Sequence, residues 1–422
     1  MIRIFIAIWI IACGALSAGA QNNNVKEPLE LDFQEFLTRV LANNLDLAIE
    51  EFEIPISEAA AVAARVYEDP ELEVILPAFA REDFRGMPRN IAFELEIPIE
   101  TFGKRRYRIQ GAEMEKQVAQ AGLEDFLRFL RAEAAALYAE LLVNQLIRER
   151  MGLTLEQLES LIEVNEARFE TGEIGEIDLL QTRLEAKKFE TEVFDLIADF
   201  AELNAELNYL MGSWESDSLV LEGTLEIPGP TDNIVTLIDR ARTERPDVHL
   251  AERSRDLAEI DLKLARAERL PDFSFIAGYH NEEALKPAPG FGAVFAGLRI
   301  PLQFSGFNRG QVQMSSAMFE QSGAFVNAAK LEVEVEVREA HSRFRLAESK
   351  LALFTDQILS DAERVQDAAL FSYQRGEVSL LEVLEAQRTL NEIYLNYYET
   401  LGQYAESLVD LSRATGIWLV EF

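Results

Sequence analysis

Cysteine, histidine and basic residues are scarce in this chain of 422 residues, and each scarcity removes a class of function. One Cys and three His are too few for a His/Cys metal site of the usual kind. Forty Lys and Arg against 74 Asp and Glu leave a formal charge of −34, which argues against binding to nucleic acid or to an anionic lipid surface. Beyond the N-terminus no window approaches eighteen uninterrupted apolar residues, so no membrane-spanning helix is expected. His249, His280 and His341 are scattered, with His280 reading as a loop residue at a strand end. No glycine-rich phosphate loop precedes a helix and no Ser/His/Asp set has a recognisable elbow, so neither an enzyme nor a cofactor is expected.

What is present begins with a leader. Arg3 supplies a basic end, Ile4 to Ala12 a short apolar stretch, and Ala18-Gly19-Ala20 a small-x-small cleavage site before Gln21. Residues 1–20 therefore read as a signal peptide and the protein as exported. A second reading takes Ile10-Ile11-Ala12-Cys13 as a lipoprotein site that would leave Cys13 acylated.

The rest of the chain says nearly the same thing twice. Phe169-Glu170-Thr171-Gly172-Glu173-Ile174 returns as Tyr373-Gln374-Arg375-Gly376-Glu377-Val378, 204 residues on. Ile97-Pro98-Ile99 with Gly103 returns as Ile300-Pro301-Leu302 with Gly306, 203 residues on. Asp69-Pro70 pairs with Leu270-Pro271, and Gly212-x-Trp214 with Gly416-x-Trp418. Four matches in one order indicate a tandem duplication. The first repeat is placed at 21–213, with a β-hairpin at 69–100 and a helical hairpin at 104–211. A linker at 214–230 leads to the second repeat, 231–418, with a β-hairpin at 271–302 and a helical hairpin at 307–414; 419–422 form a tail.

Within each repeat, short helices precede the strands. A helix is expected over Phe33–Asn43 and another over Asn44–Tyr67, kinked by Pro55. The strands alternate: Leu72, Val74, Leu76 and Ala78 oppose Glu71 and Glu73, and Ile91, Phe93, Leu95 and Ile97 oppose Ala92, Glu94 and Glu96. The second repeat supplies Phe273, Phe275, Ala277 and Tyr279, then Val294, Ala296, Leu298 and Ile300, joined by a loop around Pro287-Ala288-Pro289-Gly290. The helical stretches carry a seven-residue period, as in Val383, Leu390, Tyr397, Tyr404 and Leu411, and in Leu179, Ala186, Val193, Phe200 and Leu207, which indicates coiled-coil packing. No proline interrupts Lys104 to Glu170, and a continuous helix there, unbroken at Gly152, would reach roughly 100 Å.

Two short hairpins cannot close a sheet, and an open one would expose edges. A cyclic oligomer removes both problems. Apolar-out, carboxylate-in strands suit an outer-membrane barrel, with the helices hanging below it as a second cylinder. On this reading Leu72, Val74, Ile91, Phe93, Leu95, Phe273, Phe275, Val294 and Leu298 face lipid.

These residues resemble the outer-membrane factor (TolC) family of export ducts over nearly the whole mature chain. The most specific marks are Arg168-Phe169-x-x-Gly172 and Tyr373-x-x-Gly376, each followed six residues on by an acid, Asp178 and Glu382. Glu96-Ile97-Pro98-Ile99 with Gly103-Lys104-Arg105 is most similar to the branch that works with heavy-metal efflux pumps. The resemblance implies a mainly helical fold with a small β part, and a homotrimer whose twelve-stranded barrel takes four strands from each chain above a periplasmic helical tunnel. It implies a passive duct in the outer membrane, partnered by a periplasmic adaptor and an inner-membrane efflux pump. It places adaptor-docking tips at Thr171, Gly172, Glu173, Ile174 and Asp178 and at Arg375, Gly376, Glu377 and Val378, with Ile174 and Val378 exposed for the partner. It places Glu382 and Glu385, which share a helix face, at the aperture of the tunnel. Tyr373 keeps one half of the family's tip latch, whereas Val378 stands where an arginine helps to lock it. The competing reading is a soluble, elongated periplasmic coiled-coil scaffold or adaptor, which gives no reason for four strands with one consistently apolar face.

Overall fold

In the computed structural model, residues 29–76, 91–213, 219–225, 227–230, 232–281, 292–302, 308–354, 356–420 and 422 are described. The expected signal peptide, the hairpin loops around 81–89 and 287–290, and Ala78 lie outside them.

The chain opens with strand β1 (Leu29–Asp32), whose last residue caps helix α1 (Phe33–Asn43) through its carboxylate. Asn44 ends that helix and caps the next, α2 (Leu45–Glu51). The expected kinked helix over 44–67 is two helices: the chain breaks at Phe52, and α3 (Glu53–Ala63) follows. Pro55 lies three residues beyond the break, where its ring crowds the carbonyl four residues before it. Strands β2 (Glu71–Ile75) and β3 (Ile91–Ile99) come next, β2 stopping short of Leu76.

Helix α4 (Lys104–Glu170) runs for 67 residues without interruption, passing through Gly152. It turns into α5 (Glu176–Leu210). Strand β4 (Leu219–Glu222) pairs in parallel with β1. Then come α6 (Ile234–Glu244), α7 (Pro246–Ala267, with proline at its first position), β5 (Phe273–Asn281) and β6 (Gly292–Arg299). The last helical hairpin is divided: α8 (Arg309–Leu351) breaks at Ala352–Phe354, α9 (Asp356–Gln374) continues, and α10 (Leu380–Thr415) returns. The molecule is thus mainly helical with a small sheet.

The main core lies where the middle of α4 meets the C-terminal half of α10, α1, α6 and the β1/β4 pair. Tyr138 of α4 is fully buried there, its hydroxyl 2.8 Å from the Leu31 carbonyl oxygen and 2.6 Å from that of Glu222, so it clamps β1 to β4. Phe33 packs on Tyr138, Trp418 and Phe422. The stretch read as a C-terminal tail is therefore part of the core, with Val420 wholly buried. Arg245, also fully buried, binds Asp247 at 2.6 Å, Glu336 at 2.6 Å and the Ala414 carbonyl at 2.9 Å, which fastens α7, α8 and α10 together.

Candidate functional site: sheet face and helical tips

The four-stranded sheet has the order β2-β3-β5-β6, all antiparallel. Its register sets Leu72 opposite Leu95, Val74 opposite Phe93, Ile97 opposite Phe275, and Phe275 opposite Leu298. Because side chains alternate faces, this register gathers the apolar residues of all four strands on one side. Leu72, Val74, Phe93, Leu95, Phe275, Val294 and Leu298 are exposed on that side, while Ile91 and Phe273 are half-buried. The other side carries Glu71, Glu73, Glu94 and Glu96, and Arg299 reaches across to bind Glu94 and Glu96. Four strands do not close into a barrel within one chain, and β2 and β6 are edges among the described residues.

At the far end of the long helices the two tips share one geometry. Gly172 has φ +78° and Gly376 +74°, values that strain any residue with a Cβ. The amide of Glu173 donates to the Arg168 carbonyl at 2.8 Å and that of Glu377 to the Ser372 carbonyl at 3.0 Å, the six-to-one bond of a Schellman turn. Thr171, Glu173, Arg375 and Glu377 are exposed, and Asp178 is half-buried in the first turn of α5. Arg375 lies over the Phe371 ring of its own helix, 4.1 Å from its centroid.

Two expectations for the tips change. Val378 is not a free apolar side chain: it is half-buried against the cluster formed by Tyr373, Leu380, Val383 and their neighbours. Ile174 is likewise half-buried. Each tip apex is a tight turn that folds its apolar residue back toward the helices.

Tyr373 is buried and joins the two hairpins. Its hydroxyl donates to Asn165 Oδ1 at 2.8 Å, and Asn165 Nδ2 donates to Thr182 Oγ1 at 2.8 Å. Arg168 covers the Tyr373 ring at 4.8 Å and donates to the Tyr373 carbonyl at 3.2 Å. Burial pushes the Tyr373 hydroxyl pKa up. A second tie follows two turns on, where Arg388 of α10 binds Glu185 of α5 through two bonds of 2.8 and 2.6 Å. The hydrogen bond from Arg388 holds the Glu185 carboxyl below the ordinary range against the opposing effect of burial. Asn165, Thr182, Glu185 and Arg388 were absent from the sequence-derived site. The signal for two of them was there: Met151, Thr154, Leu158, Leu161 and Asn165 step by three and four along the buried seam, so polar residues occupy positions that coiled-coil packing reserves for apolar ones. Glu382 and Glu385 are both exposed, one turn apart at the start of α10.

No helix among the described residues is long and apolar enough to cross a membrane. No group of three or more His, Cys, Asp or Glu among them is placed to hold a metal ion.

An apolar-faced sheet standing on long paired helices with tight glycine tips is the build of an outer-membrane efflux channel. The structure superposes on CusC with a TM-score of 0.74, at 18% identity and covering 92% of each chain. It matches the outer membrane protein VceC of Vibrio cholerae with a TM-score of 0.70, at 18% identity, over 92% of this chain and 97% of that one. By sequence, residues 237–417 belong to the outer membrane efflux protein family. The chain is also 23% identical to the cobalt-zinc-cadmium resistance protein CzcC of Cupriavidus metallidurans over 389 residues, 92% of this chain and 90% of that protein. The resemblance to the outer-membrane factor family thus holds in sequence and in fold.

Proposed function

We infer that this protein is the outer-membrane channel of a tripartite efflux system, a passive duct that carries cargo from periplasm to exterior and does no chemistry. The observation that carries this reading is the one-sided sheet, where seven exposed apolar side chains from all four strands oppose four glutamates and Arg299. In water such a face would be a liability; against hydrocarbon it is the expected surface of a barrel wall, with the charged face toward the lumen. The two free edges, β2 and β6, are met if three chains pair edge to edge, giving twelve strands. The tandem duplication supplies two hairpins of each kind per chain, so three chains give a pseudo-sixfold wall. The tips at Gly172 and Gly376 then face a periplasmic adaptor, and beyond it an inner-membrane pump. The likeness to a cobalt-zinc-cadmium resistance protein supports metal cations as cargo.

Fractionation tests the reading. The protein should partition with outer membranes and migrate as a heat-sensitive trimer. Recovery as a soluble periplasmic monomer would favour the scaffold reading instead.

A further inference from the structure

A groove of about 500 Å³ runs between α4 and α5, far from both the sheet and the tips. It lies on the side of α4 turned away from the β1/β4 pair. Tyr138 and Gln145 contact that pair, whereas Glu140, Asn144 and Ile147 point about 200° around the helix at 100° per residue. Carboxylates line the groove: Glu140 from α4, and Asp199, Glu202 and Glu206 from α5. Val143, Ile147, Leu196 and Leu203 supply its apolar floor.

Three observations separate this groove from an ordinary solvated helix face. First, among the described residues none of these four carboxylates forms an ion pair, although 74 acids compete for 40 bases and most bases near the core are taken. The neighbouring Arg148 spends its guanidinium on the Phe200 ring, 3.9 Å from its centroid. Second, Asn144 is 7% exposed and its Oδ1 is buried with no partner among the described residues. The amide orientation is fixed, because Nδ2 donates to the Leu196 carbonyl at 3.3 Å, so the oxygen is an acceptor awaiting a donor. Third, the duplication reverses one charge. Glu140 and Glu206 correspond, at shifts of 203 and 204, to Arg343 and Asp410, which form an ion pair at 3.3 Å. Where the second repeat satisfies its acid internally, the first sets acid against acid. Burial, with Glu406 and Glu206 nearby, raises the Glu140 pKa, as expected of a carboxylate lacking a cation.

We propose that this groove is a binding subsite for an organic cation, an ammonium with hydrogen-bond donors and an apolar body. The ammonium answers the unpaired carboxylates, its N–H groups answer Asn144 Oδ1, and its body covers Val143 and Leu196. A bare metal ion fits less well, since no three carboxylates among the described residues converge to ligate one. The site stands on one chain's geometry and rests on the duct reading only for its place beside the transport path.

The experiment is fluorescence titration of the full-length protein in detergent with dansylcadaverine, an alkylammonium on an aromatic body. Wild type should bind it, and added salt should weaken binding. Glu140→Arg, which recreates the second repeat's pair at an exposed position, should weaken binding about tenfold or more. Asn144→Leu should weaken it as well; should that variant fail to fold, Glu206→Gln takes its place with the same expectation. Glu382→Gln should change nothing. Equal binding by Glu140→Arg, equal binding of dansylamide without the ammonium, or Glu140-dependent binding of Co²⁺ with none of the amine would each overturn the proposal. Loss of amine binding with intact outer-membrane trimers overturns the subsite alone; failure to reach the outer membrane overturns the duct reading.

Discussion

At the scale of single residues, the ties between the two helical hairpins rest on polar groups placed in an otherwise apolar seam. Glu185 is the one most open to test. Its folded pKa lies below its ordinary value of 4.5, so the stability it contributes is complete above that value and is lost as pH falls through the folded value. Acidification from about pH 5 downward should therefore loosen α5 from α10, seen as faster amide exchange around Val383–Leu390. Glu185→Gln should already be loosened at neutral pH and should respond much less to acid. An identical acid response in both proteins would remove Glu185 from the account. Such residues are hard to read in sequence, because an Asn or Glu at a buried position looks the same as one on a wet face. Asn144 shows this: its neighbours Glu140 and Arg148 advertise a solvated turn, and only the carbonyl of Leu196 on another helix reveals the orphaned oxygen.

At the scale of elements, the sequence period and the structure agree where the period is long and uninterrupted. The 67 residues of α4 were legible because no proline or cap divides them and because the apolar steps of three and four persist. The break between α8 and α9 was not, since Leu351-Ala352-Leu353-Phe354 contains neither glycine nor proline; Phe354 there packs toward Tyr397, a tertiary contact without a local signal. The tips were legible as glycine turns, but not the inward fold of Val378, which depends on the cluster around Tyr373. That burial separates two substitutions. Ile174→Asp should abolish export while leaving outer-membrane trimer levels unchanged, as a docking residue would. Val378→Asp should lower both, because it also places a charge against Leu380 and Val383. Trimer loss in Ile174→Asp, measured by immunoblot of unheated membranes, would make both tips structural caps.

At the scale of the whole molecule, threefold symmetry turns small features of one chain into rings. Glu382 and Glu385 would gather six carboxylates at the aperture. The double change to Gln should collapse cation selectivity in planar bilayers with little change in conductance, because the volumes match. Neutralising Glu173 and Glu176 at the other tip should leave selectivity nearly intact, and equal effects would assign selectivity to the tunnel's overall charge. The claim beneath all of this is that the sheet is a barrel wall with lipid on its apolar side. Its most direct test is paired labelling in intact outer membranes. Leu95→Cys and Glu94→Cys differ by one position on β3 and so point to opposite faces. The account predicts that the cysteine at 95 is shielded from a charged, water-soluble maleimide yet reacts with a lipid-soluble one, and that the cysteine at 94 reacts with the water-soluble reagent from the lumen. Equal reaction of both positions with the water-soluble reagent would contradict it.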